Sequence, residues 1–264
     1  WYRTRAAEGR FAGIVRNFTG VAPVVPPQPG SASQTAESPD SSQTPASTGE
    51  PAGGGTATGE AGRSGVGQGP RVLAYWARWG DDPAPMASLR AHLDSIDLVA
   101  PYWHTLMPDG SISTRESGHR PVMDRVRSAG RKRVVLVNHS KASARMLRDP
   151  AVRERGVRAI ADLVRERGYD GVNVDFEALK PDLRDALTDF VAALGRELRP
   201  DGRLVTVAVA PKWSPDPAVN DWAAVYDYAA LARHADALVV MTYDQHGKWS
   251  GPGPVASIEW VRNV

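Results

Sequence analysis

Cysteine is absent from all 264 residues, which excludes disulfide staples and thiolate metal sites and leaves the redox compartment open. No run of about 18 apolar residues occurs, so nothing in the chain crosses a membrane as a helix. Charge of one sign is lacking too: the net charge is +2, and residues 71–264 carry 27 basic side chains against 25 acidic ones. Without a concentrated basic face, nucleic acid is not an expected partner. No Gly-x-Gly-x-x-Gly follows the first apolar run, which leads instead into Trp76, Ala77, Arg78 and Trp79, and no P-loop occurs. Both absences count against nucleotide-binding folds of those kinds. His, Asp and Glu do not cluster at metal-ligand spacing, so neither a metal nor a cofactor is implied.

Aromatic residues are unevenly placed. Of 19, four lie in residues 1–20, none in 21–70 and 15 in 71–264. Between Val21 and Pro70, 18 of 50 residues are Gly or Pro, and Ala, Ser and Thr bring the count to 37. Such a stretch cannot bury a core and reads as a disordered linker. Three segments follow: an N-terminal stub over 1–20, the linker over 21–70, and a globular part over 71–264. Trp1, Tyr2, Arg3 and Arg5 have the make-up of the flank of a removed signal or membrane segment. An arbitrary fragment boundary explains them equally well. A Pro/Ser/Thr/Gly linker ahead of a folded domain suits a secreted or envelope-anchored protein, tethered to membrane or cell wall through its N-terminus.

The globular part alternates strand with helix. Short β-branched runs occur at Val72 to Ala77, Ile96 to Trp103, Arg133 to Asn138, Gly171 to Phe176, Leu204 to Ala210 and Ala237 to Thr242. Amphipathic patterns such as Val152 to Arg167 and Leu183 to Leu198 lie between them, with Gly168 and Gly195 near their ends as C-cap candidates. The alternation predicts a parallel sheet covered by helices, and both a doubly wound sheet and a (β/α)8 barrel satisfy it. Polar residues favour the barrel, because they gather where strands end: Trp103 and His104, Asn138 and His139, Asp175 and Glu177, Lys212 and Trp213, Tyr243 and Asp244. That rim is where barrel active sites are assembled. Six strands are predicted where a closed barrel has eight, so the expectation is an incomplete (β/α)8 barrel with two βα units outside this chain. Asp244 to Val264 reads as a loop and the start of a helix at Ser257.

The segment Asp170-Gly171-Val172-Asn173-Val174-Asp175-Phe176-Glu177 carries the chemistry. Its period of two points Asn173, Asp175 and Glu177 to one face and Val172, Val174 and Phe176 to the other. The apolar set is expected beneath the helices. The polar set then faces the barrel interior and mouth, where ionised groups are costly unless paired or functional. A purely structural polar layer is the competing explanation, and burial cost weighs against it.

At these residues the chain resembles glycoside hydrolase family 18, whose fourth-strand signature is Asp-Gly-x-Asp-x-Asp-x-Glu. Asp170, Gly171, Asp175 and Glu177 match it, and Asn173 departs from it. The sixth-strand Met-x-Tyr-Asp is met by Met241, Thr242, Tyr243 and Asp244. The resemblance covers roughly Arg71 to Val264 and looks closest to the spore-germination and cortex-fragment-lytic branch, in which Asn at the middle acidic position is familiar. The Ser-x-Gly-Gly of many chitinases is missing, with Val137-Asn138-His139-Ser140 in its place, which makes chitin the second choice of substrate behind cell-wall peptidoglycan fragments.

The resemblance implies a retaining glycosidase for β-linked N-acetylglucosamine polysaccharides or oligosaccharides. Glu177 is then the general acid and base, and the substrate's own 2-acetamido carbonyl is the nucleophile. Asp175 accepts from the acetamido N–H, steadies the oxazolinium and is expected to raise the proton affinity of Glu177. Tyr243 donates to the acetamido carbonyl, and Asp170, Asn173, Met241 and Asp244 complete the sugar-binding set. An amide at 173 keeps a hydrogen bond but cannot take up charge, which predicts activity with a shifted pH profile. Trp103 and Trp213 are candidates to stack on sugar rings, with packing as the equal alternative. His104 and His139 read better as satisfied polar residues than as catalysts, and Trp249 and Trp260 as core of the units outside the chain. The rival function is a catalytically silent, lectin-like barrel of the cell envelope, disfavoured because Glu177 is retained.

Overall fold

The computed structural model describes residues 72–77, 83–115, 119–212, 221–248 and 250–264. The stub, the linker, Trp213 and Trp249 lie outside the described residues.

Among the described residues, six parallel strands form one sheet in the order β1 (Leu73–Trp76), β2 (Leu98–Leu106), β4 (Lys132–His139), β5 (Gly171–Asp175), β6 (Leu204–Val209) and β7 (Ala237–Val240). These are the six predicted strands. A helix returns the chain between each successive pair of them: α1 (Ala84–His92), α2 (His119–Ser128), α3 (Pro150–Glu166), α4 (Arg184–Leu198) and α5 (Tyr228–His234), with α6 (Ile258–Asn263) after β7. The arrangement is that of a (β/α)8 barrel, incomplete in this chain. A seventh strand, β3 (Ile112–Thr114), folds back antiparallel on β2. It follows a tight turn in which Asp109 Oδ1 accepts from the Ser111 amide at 2.9 Å and Gly110 takes φ 84°.

The two faces of the sheet differ as the alternation requires. Val99, Val135, Val137, Val172, Val174, Val205, Val207 and Val209 are almost wholly buried in the main core with Ile160, Val164, Leu187, Phe190 and Val191 of the helices. A smaller inner cluster holds Leu73, Leu98, Ala100, Val134, Leu136 and Val239, with Tyr75 and Tyr102 packed against it. Inner-face residues in register form layers: Leu136, Asn173 and Thr206 are aligned across β4, β5 and β6, and Asn138 lies beside Asp175 one layer nearer the strand ends.

Local signals position these elements. Asp149 caps α3 by accepting from the Ala151 and Val152 amides, Pro150 opens the first turn, and Gly168 follows the helix at φ 61°, the left-handed conformation of a helix terminator. Gly195 corrects the cap expectation: it lies inside α4, where an added Cβ would stand 2.8 Å from the His234 carbonyl at the end of α5. At Gly171 the need is steric, since a Cβ would meet the Leu204 carbonyl of β6 at 2.3 Å.

Candidate active site

β5 delivers its two acids differently. Asp175 is the last residue of the strand and only 7% exposed, whereas Glu177 lies two residues on and is half-buried. Between them Phe176 turns outward into the core. The peptide that carries Glu177 is held from both sides. Tyr226 donates its hydroxyl to the Phe176 carbonyl at 2.8 Å, and His139 Nε2 stands 2.8 Å from the Glu177 carbonyl, with its ring edge-on to Phe176 at 5.2 Å. The next residue, Ala178, takes φ 54°, and Asp244, beside Tyr243, takes φ 63°. These are the non-glycine residues with positive φ among the described residues, and such strain persists only where the surroundings enforce it.

Burial, then the charge of Glu177, then a side-chain hydrogen bond with Glu177 push the Asp175 carboxyl well above the usual carboxylate range. Two carboxyls this close in a shielded site share a proton instead of both ionising. The Asp175 carboxyl is thus tied electrostatically and by hydrogen bond to Glu177.

Below the acids lies a polar layer. Tyr75 donates to Asn173 Oδ1 at 3.2 Å, Asn173 Nδ2 donates to Thr206 Oγ1 at 2.8 Å, and Thr206 passes its proton toward the Val172 carbonyl at 3.3 Å. Asn173 is fully buried. It is thus a support under Asp175, and its substrate-contact role is corrected accordingly. Tyr75 is held protonated chiefly by burial and then by the charge of Asp175, with Tyr243 and Glu177 also contributing. Tyr102 receives a hydrogen bond from Asn138 Nδ2, and its hydroxyl is pushed up by burial first and then by Asp175 and Glu177. Both tyrosines therefore face the acids. Sequence reading had named neither, although Tyr75 shares its strand face with Leu73, and Tyr102 shares its own with Leu98 and Ala100.

Other expected site residues fall elsewhere. Asp170 stands at the opposite end of β5, where its Oδ2 accepts from the Arg133 amide at 2.8 Å and from Arg133 Nε at 3.2 Å. It is a structural ion pair and leaves the sugar-binding set. Trp103 is likewise corrected. It lies within β2, as the extra residue of a bulge between Tyr102 and His104, 6% exposed and edge-on to Trp76 at 5.5 Å, so no ring face is open to a sugar. His104, also buried, lies 2.9 Å from Thr114 Oγ1 and 3.3 Å from the Tyr169 hydroxyl. Met241 is buried, which leaves the half-buried Tyr243 and Asp244 to present the sixth-strand landmark. Lys212 donates to the Tyr226 carbonyl and sits 4.9 Å over the Tyr228 ring. No cluster of metal-ligating side chains occurs among the described residues.

The family model for glycosyl hydrolases of family 18 matches residues 71–260. The uncharacterised glycosylase YvbX of Bacillus subtilis is 34% identical over 121 residues, 46% of this chain and 35% of that protein. The cortical fragment-lytic enzyme of Bacillus subtilis is 30% identical over 119 residues, 45% of this chain and 27% of that enzyme. A class V chitinase from Pseudomonas fluorescens Pf-5 superposes with a TM-score of 0.66 at 27% identity, over 73% of this chain and 62% of that one. The matched stretch thus spans about a third of the length of these curated relatives and less than two thirds of the solved structure.

Proposed function

Because the chain belongs to glycosyl hydrolase family 18, we propose that it is a retaining glycosidase for β-linked N-acetylglucosamine glycans, with peptidoglycan fragments as substrate ahead of chitin oligomers. The observation that carries this reading is the pairing of Asp175 and Glu177 at the mouth of β5, where burial, the charge of Glu177 and a side-chain hydrogen bond with it raise the Asp175 carboxyl. An acid that must give up a proton and then take one back needs that proton held nearby in a shielded site.

In the proposed reaction Glu177 gives its proton to the glycosidic oxygen as the bond to the anomeric carbon breaks. The acetamido carbonyl oxygen of the same sugar attacks that carbon, in the substrate-assisted variant of retaining hydrolysis. Asp175 accepts from the acetamido N–H and balances the positive oxazolinium, and Tyr243 donates to the acetamido oxygen. Water then attacks the anomeric carbon while Glu177 takes back a proton. Asp244 contacts the same sugar, and Trp213 is proposed to stack on a neighbouring one. Substrates of this kind place the protein's work outside the cytoplasm, with residues 1–70 as stub and tether.

The test is to incubate the protein with peptidoglycan fragments and with chitin oligosaccharides and to follow the anomeric proton of the first product by NMR. The β anomer is expected first, together with inhibition by N-acetylglucosamine thiazoline, a mimic of the oxazolinium. Initial α anomer would contradict retention. Glycan binding without turnover would replace this reading with the lectin-like one.

A further inference from the structure

β2 shares its two edges unequally. β4 runs along one of them from Leu98 to Leu106, while the other carries β1 over Leu98 to Pro101 and β3 over His104 to Leu106. β3 therefore occupies the lane of β1 beyond its end, at the rim where the acids stand. Register fixes its level: Ser113 is aligned with Thr105, Thr105 with Asn138, and Asn138 with Asp175. Three steps between neighbouring strands put β3 about 14 Å along the sheet from Asp175. The direction of Arg115, just past the end of β3, follows from its neighbour. Thr114 Oγ1 lies 2.9 Å from His104 Nδ1, on the helix-covered side where His104 also approaches Tyr169. The Arg115 amide continues the ladder by donating to the Trp103 carbonyl at 2.9 Å. The bulge adds its residue to β2 and not to β3, so alternation along β3 turns Arg115 to the inner face.

Electrostatics agrees with that direction. Burial first, then the charges of Asp175 and Glu177, push the Tyr102 hydroxyl up, while the hydrogen bond with Asn138 and the charge of Arg115 pull it back. Arg115 thus acts on the same inner face as the two acids. It is exposed, and among the described residues no carboxylate pairs with its guanidinium. Lys212, by contrast, is spent on the Tyr226 carbonyl and the Tyr228 ring. An unpaired guanidinium presents a planar fork that fits a carboxylate at two points, and its distance from Asp175 makes it a flank of the reacting sugar, clear of the atoms that change bonds. Chitin carries no carboxylate to fill that fork. In peptidoglycan each N-acetylglucosamine alternates with N-acetylmuramic acid, whose 3-O-lactyl arm ends in a carboxyl, free in the denuded glycan and extended in intact fragments by a stem peptide with carboxylates of its own. We propose that Arg115 is a specificity residue that binds the carboxylate borne by the muramic acid unit next to the sugar held at Asp175. The inference rests on the glycosidase reading of Asp175 and Glu177 and gives its ranking of peptidoglycan over chitin a physical cause.

The test compares the parent with Arg115→Ala on a chitin oligosaccharide, on a denuded peptidoglycan oligosaccharide of equal length, and on the same glycan with its stem peptides. The readout is the ratio of kcat/KM for each peptidoglycan substrate to that for chitin. On the denuded glycan this ratio should fall about tenfold in the variant. Reducing the lactyl carboxyl to an alcohol should lower the parent's ratio by a similar factor and leave the substitution nothing further to remove. Arg115→Lys keeps the charge without the fork and should fall between the two. A loss confined to stem-bearing fragments would place the bound carboxylate on the stem peptide. Ratios within about twofold of the parent's on denuded and stem-bearing glycan alike, in a variant whose melting curve shows it folded, would overturn the proposal. If the parent turns over no glycan, the glycosidase reading fails, while the affinities of parent and variant for the same glycans, measured by calorimetry, still give the ratio that decides the role of Arg115.

Discussion

Replacing Asp170 by Ala separates a structural ion pair from a substrate contact. Asp170 Oδ2 satisfies the Arg133 backbone amide at 2.8 Å and the Arg133 guanidinium at 3.2 Å. Arg133 is 8% exposed, and its remaining contact is a donation to the Gly168 carbonyl. Removing the carboxylate strands a mostly buried backbone donor, at about 1–3 kcal/mol, and breaks an ion pair that would cost about 3–5 kcal/mol if fully buried. The Asp170 side chain is 27% exposed and the guanidinium keeps one acceptor, so solvent screening takes the expected loss below the sum of the lower ends, to about 3 kcal/mol in total. For a domain of this size each kcal/mol lowers Tm by about 2–4 °C, which gives a fall of about 6–12 °C. Thermal melts followed by circular dichroism at neutral pH measure it, and KM on a chitin oligosaccharide below the melting range should stay within about twofold, since Asp170 is roughly 16 Å of strand from Asp175. A Tm within about 2 °C of the parent, together with a KM raised tenfold or more, would refute the reasoning and return Asp170 to the substrate site.

Three further outcomes are expected. Gly171→Ala pushes a methyl group against the Leu204 backbone and should cost at least about 1–3 kcal/mol as overpacking, read from denaturant midpoints. Trp103→Ala empties a core site beside Trp76 and should cost about 3–5 kcal/mol, with KM unchanged in the molecules that remain folded. Asp175→Asn changes how stability depends on pH. The folded parent keeps a proton that the unfolded chain releases in the usual carboxylate range, so parent stability falls as pH rises from that range through the raised folded-state value, and every tenfold gain in proton affinity is worth about 1.4 kcal/mol. The asparagine variant should therefore melt above the parent at neutral pH, with the gap closing toward about pH 4, and a gap that widens on acidification would contradict the shared proton.

The framework of this fold was legible because each strand buries both faces. Runs such as Arg133 to Asn138 and Leu204 to Ala210 can hardly be anything else once helical patterns flank them, and the period of two through Asn173, Asp175 and Glu177 separates an acid face from a core face without reference to any relative. Trp103 was placed at the end of the second strand, but β2 runs on to Leu106 with Trp103 as the extra residue of a bulge. The β3 hairpin was missed although Pro108-Asp109-Gly110 is a turn signal, since three residues are too few to show a strand pattern. Asp170 belonged to the matched signature, but its pairing with Arg133 is a contact between residues 37 apart, which a single sequence does not reveal. Tyr75 and Tyr102 escaped for a related reason, since only sheet register brings them to the acids, and the same register sets Asn138, already placed at the strand-end rim, beside Asp175. Gly195 carried a cap signal, yet the close approach of α5 places it inside a helix.

The central claim is that Glu177 moves the proton, and the direct test is kcat for Glu177→Gln against the parent on a chitin oligosaccharide and on peptidoglycan fragments, with melting curves to confirm that both proteins are folded. Glutamine keeps the size of the side chain and removes the transferable proton, so kcat should fall by about 100- to 10,000-fold while glycan binding persists. A folded glutamine variant that turns over either glycan as fast as the parent would contradict the account.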